Sequence, residues 1–287
     1  MISEPSFLTD FTTTSLLPIP NKREHRKRLM LPLILFTLTV LTTTLVGGLA
    51  YSVSLILILL CHEMGHYLTA RYYNVPASLP YFIPSPLPPF GTFGAVIKME
   101  GRIPNRKALF DIGIMGPALG LAVALPAAIV GISLSKVIEI NDSASIGLQL
   151  GDSIIFSLIV KFIHGSLPEG TDILLHPVGF AGWSGLLITA LNLLPLGQLD
   201  GGHIIYALFF KRSSSIYWFI FLGLIFFAII VDYWGWLFFL TFIYLMTRLR
   251  HPPTMDDEKP IEIKRFVLGI LAIIFLIISF PPVPFMT

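Results

Sequence analysis

His62, Glu63 and His66 fall within five consecutive residues, His62-Glu63-Met64-Gly65-His66. On an α-helix, positions four apart share a face, so both imidazoles can offer a nitrogen to one metal ion. Glu63 is one residue past the first histidine and three before the second. That is near enough to take a proton from a water held by the metal without itself being a ligand. This is the H-E-x-x-H arrangement of zinc hydrolases. The bare pattern is short and also arises by chance, but its surroundings add weight. It lies in a run apolar enough to cross a bilayer, where two His and a Glu each cost about 2 to 3 kcal/mol or more and are retained when they pair, bind or react. The plainer reading is a polar cluster that only holds helices together.

A catalytic zinc takes three protein ligands and leaves one position open. His62 and His66 supply two, and the other candidates within apolar segments are Asp111, Asp200, His203 and Asp232. Asp232 sits in a short link at the far side from the motif. Asp111 has a suitable depth, but a helix start favours an acid there in any case through the helix dipole. Asp200 lies where Pro195, Gly197, Gly201 and Gly202 interrupt an apolar run. Broken backbone in a membrane is tolerated where protein or a water-lined cavity surrounds it. Asp200 is therefore the favoured third ligand, with Asp111 and His203 as the alternatives.

The elements that must carry these residues follow from composition. Of 287 residues 54% are hydrophobic and 13% charged, and the mean hydropathy is +0.80. Such a chain is an integral membrane protein, because no soluble core of this size needs so much apolar surface. The net charge of +2 is small, and its basic residues cluster beside apolar runs. That pattern suits membrane topology and speaks against nucleic acid as a partner. The single cysteine, Cys61, excludes an internal disulfide, and it is read as an inert thiol and not as a ligand.

Residues 1–28 read as a polar N-terminal tail without a signal-peptide h-region. Glu4 and Asp10 argue against an organelle transit peptide. Lys22, Arg23, Arg26, Lys27 and Arg28 precede the first apolar run, so the N-terminus is expected on the cytoplasmic side. A bacterial cytoplasmic membrane is expected ahead of an organellar one. Spans are expected at Leu29 to Ala50, Tyr51 to Tyr73, Ala108 to Leu134, a broken Val178 to Phe210, Ile216 to Val231, Trp234 to Thr247 and Phe266 to Phe280. The fold class is thus an all-α polytopic membrane protein of about six to seven transmembrane helices with a small membrane-edge β segment. Residues 29–210 form the catalytic core and 211–287 the C-terminal membrane helices.

Between the spans, six prolines from Pro76 to Pro89 predict an extended linker, and Gly91 to Met99 a short strand. Residues 135–177 hold five acids and two Lys, which fits the outer face. Within them Ile146 to Ile163 is amphipathic and is expected to lie on the membrane surface. His164 and His176 near its ends are expected to be solvated or interfacial. Gly116 and Gly120 have the small-x-x-x-small spacing that lets helices approach closely, and are read as packing.

The motif on an early membrane helix, followed 134 residues after His66 by Asp200 within Asn192-x-x-Pro195 and Leu199-Asp200-Gly201, resembles the site-2 protease family of intramembrane zinc metalloproteases. Gly94-Ala95 and the run from Pro104 to Gly120 are also similar to that family, and the resemblance covers about residues 51–210. It implies one Zn2+ per chain held by His62, His66 and Asp200, with Glu63 as general base and Asn192 positioning the scissile peptide or its oxyanion. It also implies substrates that are transmembrane segments of other proteins, added as a strand along Gly91 to Met99. The PDZ and CBS domains of many members have no counterpart in this stretch. Two rival readings remain: a membrane metal transporter or sensor using the same ligands, and a zinc hydrolase of lipids or small amides. No internal repeat of the kind found in inverted-repeat transporters is evident.

Overall fold

The computed structural model of the protein describes residues 22–139 and 149–286. Of the tail, residues 1–21 lie outside that range. Helix α1 begins at Lys22, so the basic block stands on helix and not in the tail.

α1, Lys22–Tyr72, would be about 75 Å long if straight. Instead it reverses at Gly48, whose φ of 79° only glycine adopts without strain. The Ser52 hydroxyl reaches the Val40 carbonyl at 3.3 Å and Thr43 Oγ1 at 2.7 Å, contacts that a continuous helix would hold far apart. α1 is therefore two antiparallel arms. The expected division after Ala50 falls within two residues of the bend.

Strands β1, Tyr81–Pro84, and β2, Thr92–Val96, then pair antiparallel, with Tyr81 opposite Val96 and Phe82 opposite Ala95. The expected strand is β2. Its partner lies within the proline-rich stretch read as a linker, where Pro80 precedes the strand and Pro84 ends it, so neither interrupts the ladder.

α2, Arg106–Ser133, is the central helix and packs most extensively on α1 and on two of the helices still to come. Asn105 caps it, accepting the Ala108 N–H at 3.0 Å. After it come β3, Lys136–Glu139, β4, Gln149–Leu150, α3, Ile154–His164, and β5, Thr171–Leu174. β3 pairs with β5. Within the amphipathic stretch Gln149–Leu150 is strand and the helix starts at Ile154, while residues 146–148 lie outside the described residues. His164 Nε2 meets the Ile132 carbonyl at 2.9 Å, and His176 caps the next helix, so both are fastenings of the fold.

α4, Pro177–Asn192, crosses α2 through small residues. A methyl group on Gly131 would stand 1.9 Å from the Gly179 nitrogen, and one on Gly182 2.4 Å from that of Ala128. The break follows, and then α5, Asp200–Phe209, which packs on α2, and α6, Ser213–Ile230. The Tyr217 hydroxyl donates to the Gly202 carbonyl at 2.8 Å, so α5 and α6 also form a hairpin. α7, Trp234–Thr247, α8, Ile263–Ser279, and β6, Phe285–Met286, complete the chain, and β6 pairs with β4.

Among the described residues three helical stretches are long and apolar enough to cross a membrane: Met30–Tyr72, Arg106–Ser133 and Asp200–Ile230. The first and last are hairpins by the contacts above. Leu45, Phe162, Phe219 and Phe238 are each more than three-quarters exposed, as lipid-facing residues are. Among the described residues the protein is mostly helical, with three two-stranded sheets.

Candidate metal centre

The second arm of α1 carries His62, Glu63 and His66 in regular helix, all under 8% exposed. The α1–α2 crossing at this point is very close. A methyl group on Gly65 would come 2.3 Å from the Met115 carbonyl oxygen, and one on Gly116 2.0 Å from His66 Nε2. One on Gly120 would lie 3.1 Å from His62 Nδ1. The glycines of α2 are thus more than helix packing. They provide the space the two imidazoles occupy, and their spacing of four matches that of the histidines.

His66 Nδ1 donates to the Ile112 carbonyl at 2.7 Å. A neutral ring with that donor bears its lone pair on Nε2, which faces the cluster.

Asp200 arrives from the other side. α4 ends at Asn192, and Pro195 has no N–H to continue the ladder. Gly197 turns the chain at φ 55°. The loop folds tightly over the first turn of α5: a methyl group on Gly201 would stand 1.9 Å from the Leu193 carbonyl oxygen, and one on Gly202 2.3 Å from that of Gly197. Asp200 opens α5, where the helix dipole favours its charge.

The three side chains meet. Nε2 of His62 and of His66 are 3.1 Å apart, Asp200 Oδ2 is 3.2 Å from His62 Nε2, and Oδ1 is 3.3 Å from His66 Nε2. Ligand atoms about 2.0 to 2.1 Å from a tetrahedral ion lie roughly 3.3 Å from one another, so each of these separations is that of neighbouring ligands about one zinc. Two imidazole nitrogens with a carboxylate are also the donor types zinc takes. Among the described residues this is the group of His, Cys, Asp and Glu able to hold a metal.

Asn192 Nδ2 is 3.2 Å from His62 Nε2, placing the amide at the edge of the triangle. The Glu63 carboxylate lies beside the backbone N–H of Ile97, just past β2.

The other candidates are elsewhere. Asp111 takes both Nε and Nη2 of Arg265, at 2.8 and 2.7 Å, and the Tyr73 hydroxyl. His203 Nδ1 pairs with His251 Nε2 at 2.6 Å. Cys61 is half-buried and outside the cluster. Sequence reasoning missed the Ile112 carbonyl and the role of Gly116 and Gly120. The glycine spacing was the available signal, whereas a backbone carbonyl leaves none.

The sequence pattern of peptidase family M50 matches residues 50–231, from the bend of α1 to the end of α6. A probable zinc metalloprotease of Arabidopsis thaliana, EGY1, chloroplastic, is 31% identical over 233 residues, covering 79% of this chain and 41% of its own. The protein of that name from Oryza sativa subsp. japonica is 35% identical over 157 residues, 54% of this chain and 27% of its own. The chain therefore spans well under half the length of these curated relatives. Among solved structures, the site-2 protease from Methanocaldococcus jannaschii aligns with 80% of this chain and 91% of its own, at 18% identity and a TM-score of 0.42. Because the family pattern covers well over half of the chain and takes in both metal motifs, the chain belongs to peptidase family M50, the site-2 protease family its motifs resemble.

Proposed function

We propose that the protein is an intramembrane zinc metalloprotease that hydrolyses peptide bonds within or near transmembrane segments of other membrane proteins. The observation that carries this is the His62–His66–Asp200 triangle, its two histidines buried, with Glu63 alongside. These three residues hold one Zn2+ per chain. When bound, zinc supplies Lewis-acid polarisation of a carbonyl oxygen and eases the ionisation of water. Glu63 accepts the proton of the attacking water and delivers it to the leaving amine. The Asn192 amide lies beside the site and donates to the oxygen that becomes negative.

A substrate helix must unwind before it is cut, because its carbonyls are otherwise occupied by its own hydrogen bonds. β2 offers an edge to the unwound segment, and the position of Ile97 beside Glu63 puts that edge next to the base. Substrates are expected to be single spans with helix-weakening residues near the cut.

The chain crosses the membrane seven times: the two arms of α1, then α2, broken α4–α5, α6, α7 and α8. Residues 29–210 are the catalytic core and 211–287 the C-terminal helices, and α1 starts on the same side as the basic clusters. Arg106 bonds the carbonyls of Ala207 and Lys259, Lys107 meets Glu262 and Arg265 meets Asp111, so the basic residues gather at one end. That end is the cytoplasmic one. The membrane is read as a bacterial cytoplasmic one; the plant relatives carry "chloroplastic" in their own names.

The test is cleavage of a single-span membrane peptide by the purified chain in detergent. It should stop on chelation and in Glu63→Gln, and the latter should keep its zinc. A metal carrier would have no need of the Glu63 carboxylate. Wild-type protein that holds no zinc, or a Glu63→Gln protein that cleaves at full rate, would overturn the reading.

A further inference from the structure

Arg265 stands in the first turn of α8, beyond the residues matched by the family pattern. Its side chain is 15% exposed and is fully engaged. Nε and Nη2 grip both oxygens of Asp111, and Nη1 meets Glu262 at 2.8 Å. A planar guanidinium bound in this way fixes direction as well as distance. Asp111 also accepts from the hydroxyl of Tyr73, the residue just past α1. One carboxylate thus joins α1, α2 and α8.

Its place along the α1–α2 crossing gives that junction a consequence. Tyr73 follows His66 by seven residues, two helical turns, and so lies on the same face. Asp111 is the residue before Ile112, whose carbonyl holds His66 Nδ1. Reading along α1 from Tyr73 through His66 to His62, the partners on α2 run from Asp111 through Ile112 and Gly116 to Gly120. There is no slack in this series. A slip of α2 by one residue would move it about 1.5 Å and 100°. Met115 or Pro117 would then face His66 in place of Gly116, and Ile112 would leave Nδ1.

We propose that Arg265 is a positioning residue for the metal centre: through Asp111 it sets the register of α2 against α1, and so the orientation of His66. The proposal rests on the reading of His62, His66 and Asp200 as zinc ligands, but not on the reaction they serve.

The experiment measures zinc retention by the full-length protein in detergent against a competing chelator, alongside the melting temperature and the kcat and KM for the membrane peptide. Partners that orient a metal-bound histidine are worth about 10- to 100-fold in affinity, and Arg265 acts one step further out, so Arg265→Gln should hold zinc about tenfold less tightly. At saturating zinc its kcat should fall with KM little changed. The charge exchange Asp111→Arg with Arg265→Asp should recover most of the affinity. Glu262→Gln, which removes the guanidinium's other partner, should leave affinity as in the wild type. Should Arg265→Gln not fold, Tyr73→Phe removes a single hydroxyl from the same carboxylate and should loosen zinc about threefold. Zinc affinity within twofold of wild type in Arg265→Gln, or in Tyr73→Phe where Arg265→Gln does not fold, whatever the melting temperature, would overturn the proposal and leave Arg265 as an anchor for α8. Wild-type protein that holds zinc but cuts nothing would overturn the protease reading alone.

Discussion

At Gly116 the space beyond the α-carbon is already taken by the metal-facing nitrogen of His66, and at Gly120 the neighbour is the other nitrogen of His62 at a longer distance. The two substitutions should therefore differ sharply. Gly116→Ala is expected to reduce zinc affinity at least a hundredfold, and Gly120→Ala by no more than about tenfold, as read by metal content after dialysis. Asp200→Ala removes the carboxylate of the proposed zinc triangle and should abolish stoichiometric zinc. Much of this could be read in the sequence, because a helix repeats every 3.6 residues and the His62–His66 spacing declares a shared face whatever the fold. Asp200 could be read because Pro195 and the glycines mark a break that a membrane helix does not otherwise contain. The fit of Gly116 to His66 could not, since helix packing explains the same spacing equally well.

Among elements, the loop between α4 and α5 is built to deliver one carboxylate. Gly201→Ala, which would set a methyl group against the Leu193 carbonyl, should displace Asp200 and lower zinc affinity at least tenfold, with the melting temperature as a check on folding. The segment after α7 returns over α5, where His251 stacks on Tyr206 and meets His203, and Tyr206 bonds Asp257 at 2.9 Å. Burial pushes His251 down to about 4, against the pull of the Pro252 carbonyl and Asp257. Its native pKa is thus below the unfolded value near 6.5, and the unfolded chain binds more protons between those limits. The stability this contact contributes is complete above about pH 6.5 and is lost as the pH falls towards 4. Melting temperature in detergent should drop by several degrees over that window, and His251→Gln should flatten the drop. The bounds of α7 and the break after Asn192 followed from apolar runs and prolines. β1 was obscured because prolines at its two ends gave a stretch that is extended on either reading.

For the molecule as a whole, the C-terminal helices are not an accessory. α8 packs on α4 and α5 and touches α2, and Trp236 donates to the Pro282 carbonyl at 2.7 Å. A chain ending after Thr247 should insert into membranes yet retain little zinc, which metal analysis of the purified fragment would show. Composition and the basic clusters pointed to the membrane class, since burial in lipid demands long apolar runs. They could not give which spans touch, because lipid-facing and partner-facing sides are equally apolar. The separation of His62 from Asp200 by 138 residues has a further consequence for biosynthesis. A chain made from its N-terminus has its histidine pair in the bilayer long before residue 200 leaves the ribosome. On the proposed reading it lacks the Asp200 carboxylate until α1 to α4 have been made, and so cannot complete its metal triangle through the first two thirds of its own manufacture.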